Sequence, residues 1–124
     1  WLSGEAGVTR VLSPTRPDHP DAVRAQGLLQ GKGANMVSFE IDGGRAASNA
    51  FARAANGVAF APTLGDVGTT LSHPASSSHR GLTPEGRSAI GVSEGFFRVS
   101  VGLEEPNALI ATFEAGLDAA RAAG

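Results

Sequence analysis

Two stretches, Met36–Ile41 (MVSFEI) and Phe96–Val101 (FFRVSV), alternate residue by residue, and this constrains the fold more than any other feature. In the first, Val37, Phe39 and Ile41 share one face, and Met36, Ser38 and Glu40 share the other. In the second, Phe97, Val99 and Val101 oppose Phe96, Arg98 and Ser100. Successive side chains of a strand point to opposite faces, so each stretch reads as a half-buried strand. A sheet with one apolar face must bury it against something. Two segments carry matching stripes at helical spacing. One is an alanine-rich run over about Arg45–Ala55, with Ala47, Ala50, Phe51 and Ala54 on one side. The other starts at Glu105-Pro106 and aligns Leu109, Ile110, Phe113 and Leu117.

The remaining segments fill in around these. Val8–Leu12 is β-prone and stops at Ser13-Pro14. Asp18 is placed to cap a helix with Pro20 in its first turn, running to about Leu29 and ending before Gly31-Lys32-Gly33. Gly43-Gly44 is a turn, Asn56-Gly57 a left-handed helix stop, and Val58–Ala61 a second short strand. Thr83 caps a short helix with Pro84 at its first position. From Pro62 to Gly81 the chain is rich in Gly, Ser, Thr, Pro and His without a period, which predicts a long loop of the kind that carries function or moves. Strands alternate with helices, so the pattern predicts one α/β or α+β domain over residues 1–124, with helices packed on a small sheet.

Composition narrows the function classes. A chain of 124 residues buries about two-thirds of its unfolded surface, enough for an ordinary core. A net charge of −2 lacks the basic footprint of a nucleic-acid or membrane-surface binder. Cysteine is absent, which removes disulfides, thiolate chemistry and Cys-based zinc sites. No apolar run approaches the roughly 20 residues that cross a bilayer. These features, with no leader-like start, fit a cytoplasmic protein. The chain opens on Trp1, which reads as a piece of a longer chain.

Arg98 is the leading candidate site residue. A guanidinium on a rigid strand can grip a carboxylate with two parallel hydrogen bonds. The plainer reading is a solvated or salt-bridged arginine. His73 and His79 lie six apart, but no acidic residue or cysteine nearby completes a metal set, so the plainer reading has His73 bonding backbone in an irregular segment. Ser76-Ser77-Ser78-His79 has no oxyanion-hole motif beside it. Gly31-Lys32-Gly33 lacks phosphate-loop spacing and serves as a helix stop. Thr63-Leu64-Gly65-Asp66 follows a strand and, on pattern alone, is a turn.

Four ordered segments carry a more specific signal. They are Ser13–Gln26, Met36–Gly44 (MVSFEIDGG), Thr63–Ala75 (TLGDVGTTLSHPA) and Gly91–Glu105 (GVSEGFFRVSVGLEE). Together they resemble the C-terminal domain of the pyridoxal-phosphate enzymes of cysteine and methionine metabolism: cystathionine synthases and lyases, homoserine-ester sulfhydrylases and methionine gamma-lyase. The resemblance implies a small, mostly antiparallel sheet with helices on one face, the C-terminal domain of a fold-type I aminotransferase-like enzyme. It implies that Arg98 holds the substrate α-carboxylate, that Thr63 assists in place of the usual serine, and that Leu64 is a backbone neighbour of the same pocket. It places pyridoxal 5'-phosphate in the complete enzyme, with the cofactor-linking lysine, the aspartate at the pyridine nitrogen and the stacking tyrosine in a large domain outside residues 1–124. No catalytic, cofactor-binding or metal-binding residue is then expected in this chain, and no tight cofactor binding by the fragment. The implied partners are a sulfur amino acid or homoserine ester, the large domain, and identical subunits in a tetramer built from dimers. Gly68 stands where many cystathionine-handling members carry a glutamate, while Gly65-Asp66 and Ser93-Glu94-Gly95 look closer to methionine gamma-lyase and the sulfhydrylases.

Two functions therefore compete. One is the substrate-carboxylate-binding domain of a carbon–sulfur lyase or sulfur transferase. The other is a stand-alone, non-catalytic domain that binds a carboxylate ligand or a partner protein.

Overall fold

A computed structural model describes residues 1–124. Five strands and four helices follow the chain as β1 (Val8–Leu12), α1 (Ala22–Leu29), β2 (Met36–Ile41), α2 (Gly44–Ala54), β3 (Ala59–Phe60), β4 (Thr70–Ser72), α3 (Pro84–Ala89), β5 (Phe96–Ser100) and α4 (Pro106–Ala123). Single 3₁₀ turns occupy Leu2–Gly4 and Pro74–Ser76. The strands form one sheet in the order β1-β2-β5-β4-β3. Every pairing is antiparallel except β3 with β4.

The two alternating stretches lie side by side at the centre of this sheet. Phe39 faces Phe97 directly across β2 and β5, and their rings stack at 5.3 Å between centroids. Phe51 from α2 approaches Phe97 at 5.0 Å, and Phe113 from α4 approaches Phe51 at 5.7 Å. Ile41, Leu71, Val99, Ala47 and Leu117 complete this core. Such aromatic pairs contribute beyond the area they bury. The helices α2 and α4 meet closely because Gly116 has no side chain: a Cβ there would stand 2.8 Å from the Phe51 ring.

Several boundaries differ from the sequence expectation. The first helix begins four residues after Asp18, with Asp21 at its cap, because Asp18 is held by Arg16 through two hydrogen bonds at 2.9 and 2.7 Å. The helix ends at Leu29, before Gly31, as expected, with Gln30 rather than a glycine taking the left-handed conformation at its cap. The stripe of α2 is Ala47, Ser48 and Phe51, with Ala55 just beyond it; Ala50 and Ala54 are only half-buried. The left-handed stop expected at Asn56-Gly57 is supplied by Gly57, which has the positive φ. The segment read as one long loop contains β4, a strand of three residues too short to show a period. The cap at Thr83 forms as expected, accepting from the Gly86 amide, and α4 starts at Pro106 as expected, with Glu105 accepting from the Ala108 amide.

Candidate functional site

The sheet's second face is polar. Across β2, β5 and β4, Ser38, Arg98 and Ser72 stand in register. One step along lie Glu40 and Phe96, joined on β1 by Arg10. One step the other way Ser100 pairs with Thr70. Arg98 thus occupies the central strand, between a charged row and a hydroxyl row.

The charged row neutralises itself. Arg10 pairs with Glu40 at 3.0 Å, donates to the Gly91 carbonyl at 3.1 Å and lies over the Phe96 ring at 5.7 Å. Arg98 has no such partner. Of the nine arginines, five stand within ion-pair distance of a carboxylate: Arg10, Arg16, Arg45, Arg87 and Arg121. Of the other four, Arg24, Arg53 and Arg80 are exposed, and Arg98 alone is half-buried. Its guanidinium leans over β4 and donates a long hydrogen bond, 3.4 Å, to the Pro62 carbonyl. The guanidinium is therefore directed at the start of the Thr63–Gly68 loop, and most of its donors remain unclaimed by the protein.

That loop is fastened from several sides. Thr70 Oγ1 donates to the Thr63 carbonyl at 3.1 Å. The Gly65 amide donates to Ser100 Oγ at 3.3 Å, and the Gly68 amide to Asp66 Oδ1 at 3.0 Å. Thr69 donates to Glu104 through both amide and hydroxyl, at 2.5 and 2.7 Å. Those bonds, the amide first, hold the Glu104 carboxyl below its usual pKa. Gly102 allows this crossing, since a Cβ there would lie 2.5 Å from backbone atoms of Val67, Gly68 and Thr69. Thr63 is exposed, and so is Leu64, at 58%. Arg98 and the Pro62–Thr63 peptide are thus brought together, while the Leu64 side chain points outward.

The other sequence candidates take structural places. His73 is buried, with Nε2 2.8 Å from the Glu94 carbonyl and Nδ1 2.6 Å from Ser76 Oγ. A carbonyl only accepts, so Nε2 carries the proton and Nδ1 receives the serine's. Burial holds the imidazole below its usual pKa. This is the backbone-bonding role read from the sequence. His79 is engaged by its neighbour Ser78 at 2.8 Å. Lys32 lies in the exposed turn after α1, its amide bonded to the Leu29 carbonyl.

Sequence reasoning missed two groups. Glu94 is a hub. Its carbonyl accepts from His73 and from Ser48 Oγ, at 2.7 Å, and its carboxylate meets Arg87 and Arg45, each at 2.5 Å. The Arg87 contact is an aligned hydrogen bond; Arg45 contributes an ion pair. Burial pushes the Glu94 carboxyl up, but the two arginines outweigh it and hold it below the usual range. The second group is the buried pair Thr70 and Ser100; Ser100 had the signal of a hydroxyl on the polar face of a strand, and Thr70, inside a segment read as a loop, had none.

The chain as a whole is similar to known proteins. The family model described as Cys/Met metabolism PLP-dependent enzyme matches residues 1–118. The chain is 40% identical over 119 residues to O-succinylhomoserine sulfhydrylase of Pseudomonas aeruginosa, covering 96% of this chain and 29% of that one. It is 36% identical over 118 residues to L-methionine gamma-lyase of Fusobacterium nucleatum, covering 95% and 30%. Among solved structures, cystathionine gamma synthase of Xanthomonas oryzae pv. oryzae in complex with cystathionine superposes with a TM-score of 0.82 at 36% identity, over 99% of this chain and 32% of that one. The chain spans about a third of the length of the relatives it matches.

Proposed function

This chain belongs to the Cys/Met metabolism PLP-dependent enzyme family, and from that premise we propose that residues 1–124 form the substrate-carboxylate-binding domain of a pyridoxal-phosphate-dependent carbon–sulfur lyase or sulfur transferase. Its substrate is a sulfur amino acid or a homoserine ester. The observation that carries the reading is Arg98, the half-buried arginine without a carboxylate partner, aimed at the Thr63 loop. A guanidinium without a carboxylate partner and with donors to spare suits a bound carboxylate.

The residues present do not build a seat for pyridoxal phosphate. The chain has no tyrosine, and its one lysine, Lys32, sits in an exposed turn. We therefore assign the cofactor to another part of the protein, where it supplies the electron sink of the reaction. The work left to this chain is orientation. Arg98 fixes one end of the amino acid, and the loop around Thr63 and Leu64 borders the place where that carboxylate rests. Holding a reactant in one pose removes much of its entropic barrier.

Replacement of Arg98 with Ala in the full-length protein tests the assignment. KM rises and kcat/KM falls by about 2–4 kcal/mol, the scale of losing a charged anchor. Arg98→Lys recovers only part, because an ammonium cannot make two parallel hydrogen bonds to one carboxylate. Unchanged kinetics in Arg98→Ala would refute the assignment.

A further inference from the structure

We infer that Thr70 and Ser100 are positioning residues that set the distance between the Thr63–Gly65 loop and Arg98, a proposal that rests on the carboxylate-binding reading. Thr70 and Ser100 are register partners on adjacent strands, and both are buried. Each hydroxyl fastens a different point of the loop. Thr70 Oγ1 donates to the Thr63 carbonyl, and Ser100 Oγ accepts from the Gly65 amide. Ser100 Oγ also accepts from Asn35 Nδ2 at 3.0 Å, so both its lone pairs are engaged. The Asn35 carbonyl in turn accepts the Val101 amide at 2.8 Å, tying the residue before β2 to the end of β5.

Position gives the pair its role. Ser100 is two residues from Arg98 on the same face of the same strand, and Thr70 is two from Ser72, the register partner of Arg98. The sheet therefore acts as a ruler. The arginine rises from one row of the polar face, and the loop is pinned to the next row by two hydroxyls. The far end of the loop is held separately, by the Leu103 amide on the Val67 carbonyl and by Glu104 on Thr69, so the Thr63–Gly65 end, where Thr63 and Leu64 are exposed, depends on these two hydroxyls. Without the hydroxyls, the Thr63 carbonyl and the Gly65 amide lose their partners, and the loop no longer stands at one distance from the guanidinium. A displacement of that kind is costly for a site that works by orientation.

The test uses the full-length protein and whichever of L-methionine, O-succinyl-L-homoserine or cystathionine the wild type turns over. Thr70→Val keeps the shape and removes the hydroxyl; Ser100→Ala does the same at the second point. Each is expected to raise KM about fivefold, with kcat changed less than about twofold. Thr70→Ser, which keeps the hydroxyl, restores wild-type KM. Amide exchange of the 62–69 segment rises in both hydroxyl-less variants. In an Arg98→Ala background neither adds to KM, because the loop then has no anchored carboxylate to meet. Wild-type KM and exchange in both variants, alongside a raised KM in Arg98→Ala, overturn the inference and leave the carboxylate reading standing. So do effects that simply add to Arg98→Ala, the mark of general destabilisation. A wild-type KM in Arg98→Ala overturns both.

Discussion

The two faces of the sheet are built from the same strands and obey opposite rules. On the apolar face the large side chains pack on one another, and Phe39, Phe51, Phe97 and Phe113 interlock. On the polar face one row is self-neutralised by Arg10 and Glu40, one row is spent on holding a loop, and the row between them leaves a cation unpaired. Adjacent residues of β5, Phe97 and Arg98, fall on the two sides. The aromatic packing is concentrated on one face and the unpaired cation lies on the other.

The sharpest way to break this contrast is to exchange the consequences of those two neighbours. Phe97 is fully buried among Phe39, Phe51 and His73, so Phe97→Ala is expected to cost about 3–5 kcal/mol of stability, read as a large fall in the thermal midpoint. Arg98→Ala, one residue on, should leave the midpoint nearly unchanged, within about 0.5 kcal/mol, while carrying the kinetic loss described above. If Arg98→Ala melts the protein as Phe97→Ala does, the arginine is structural and the division of labour between the faces fails.

Acid titration probes the seam between the faces. His73 is buried against Phe97 and kept neutral, its pKa lowered below 6.5 mainly by desolvation. A histidine whose folded pKa is depressed binds its proton more readily unfolded, so its contribution to stability is complete above 6.5 and is lost as pH falls toward the folded value. Glu94 acts in the same direction in a lower window. Its carboxyl is held below 4.5, so the stability from Arg87 and Arg45 is present above that value and disappears on further acidification. Two separable drops in midpoint are expected as pH falls, and His73→Gln should flatten the one just below 6.5 while leaving the lower one. A wild-type profile flat from 7 to 5 would contradict the neutral, buried assignment.

How far the sequence announced this depends on the length of each signal. The faces of β2 and β5 were legible because six residues of alternation define a period, and the cap at Thr83 and the start of α4 at Glu105-Pro106 because proline marks each. The strand β4 was not, since three residues carry no period and Gly, Ser and Pro surround them. Asp18 was read as a cap because nothing in one dimension shows that Arg16 already claims its carboxylate. For the site, Arg98 could be nominated from its place on the polar face. That it lacks a carboxylate, unlike Arg10 and Arg87, is a fact of tertiary pairing. The hydroxyl pair Thr70 and Ser100 lies 30 residues apart in sequence and becomes a unit only through strand register.

The smallest expected effect is at Leu64, and it sharpens what the polar face recognises. Leu64 sits inside the loop that borders Arg98, yet its side chain is 58% exposed and the loop is held through its neighbours, Thr63 and Gly65. If the residue contributes only backbone, Leu64→Ala removes nothing a substrate touches, and KM and kcat should stay within about twofold of wild type, as for an ordinary surface substitution. Leu64→Pro is the informative partner, because proline restricts its own backbone and that of Thr63 before it. It should raise KM where alanine does not. The reverse result, a large KM change with alanine, would mean that the loop reads an apolar part of the substrate through this side chain. Recognition would then extend from the guanidinium to the loop's outer surface, and the polar face would cease to be purely a carboxylate anchor.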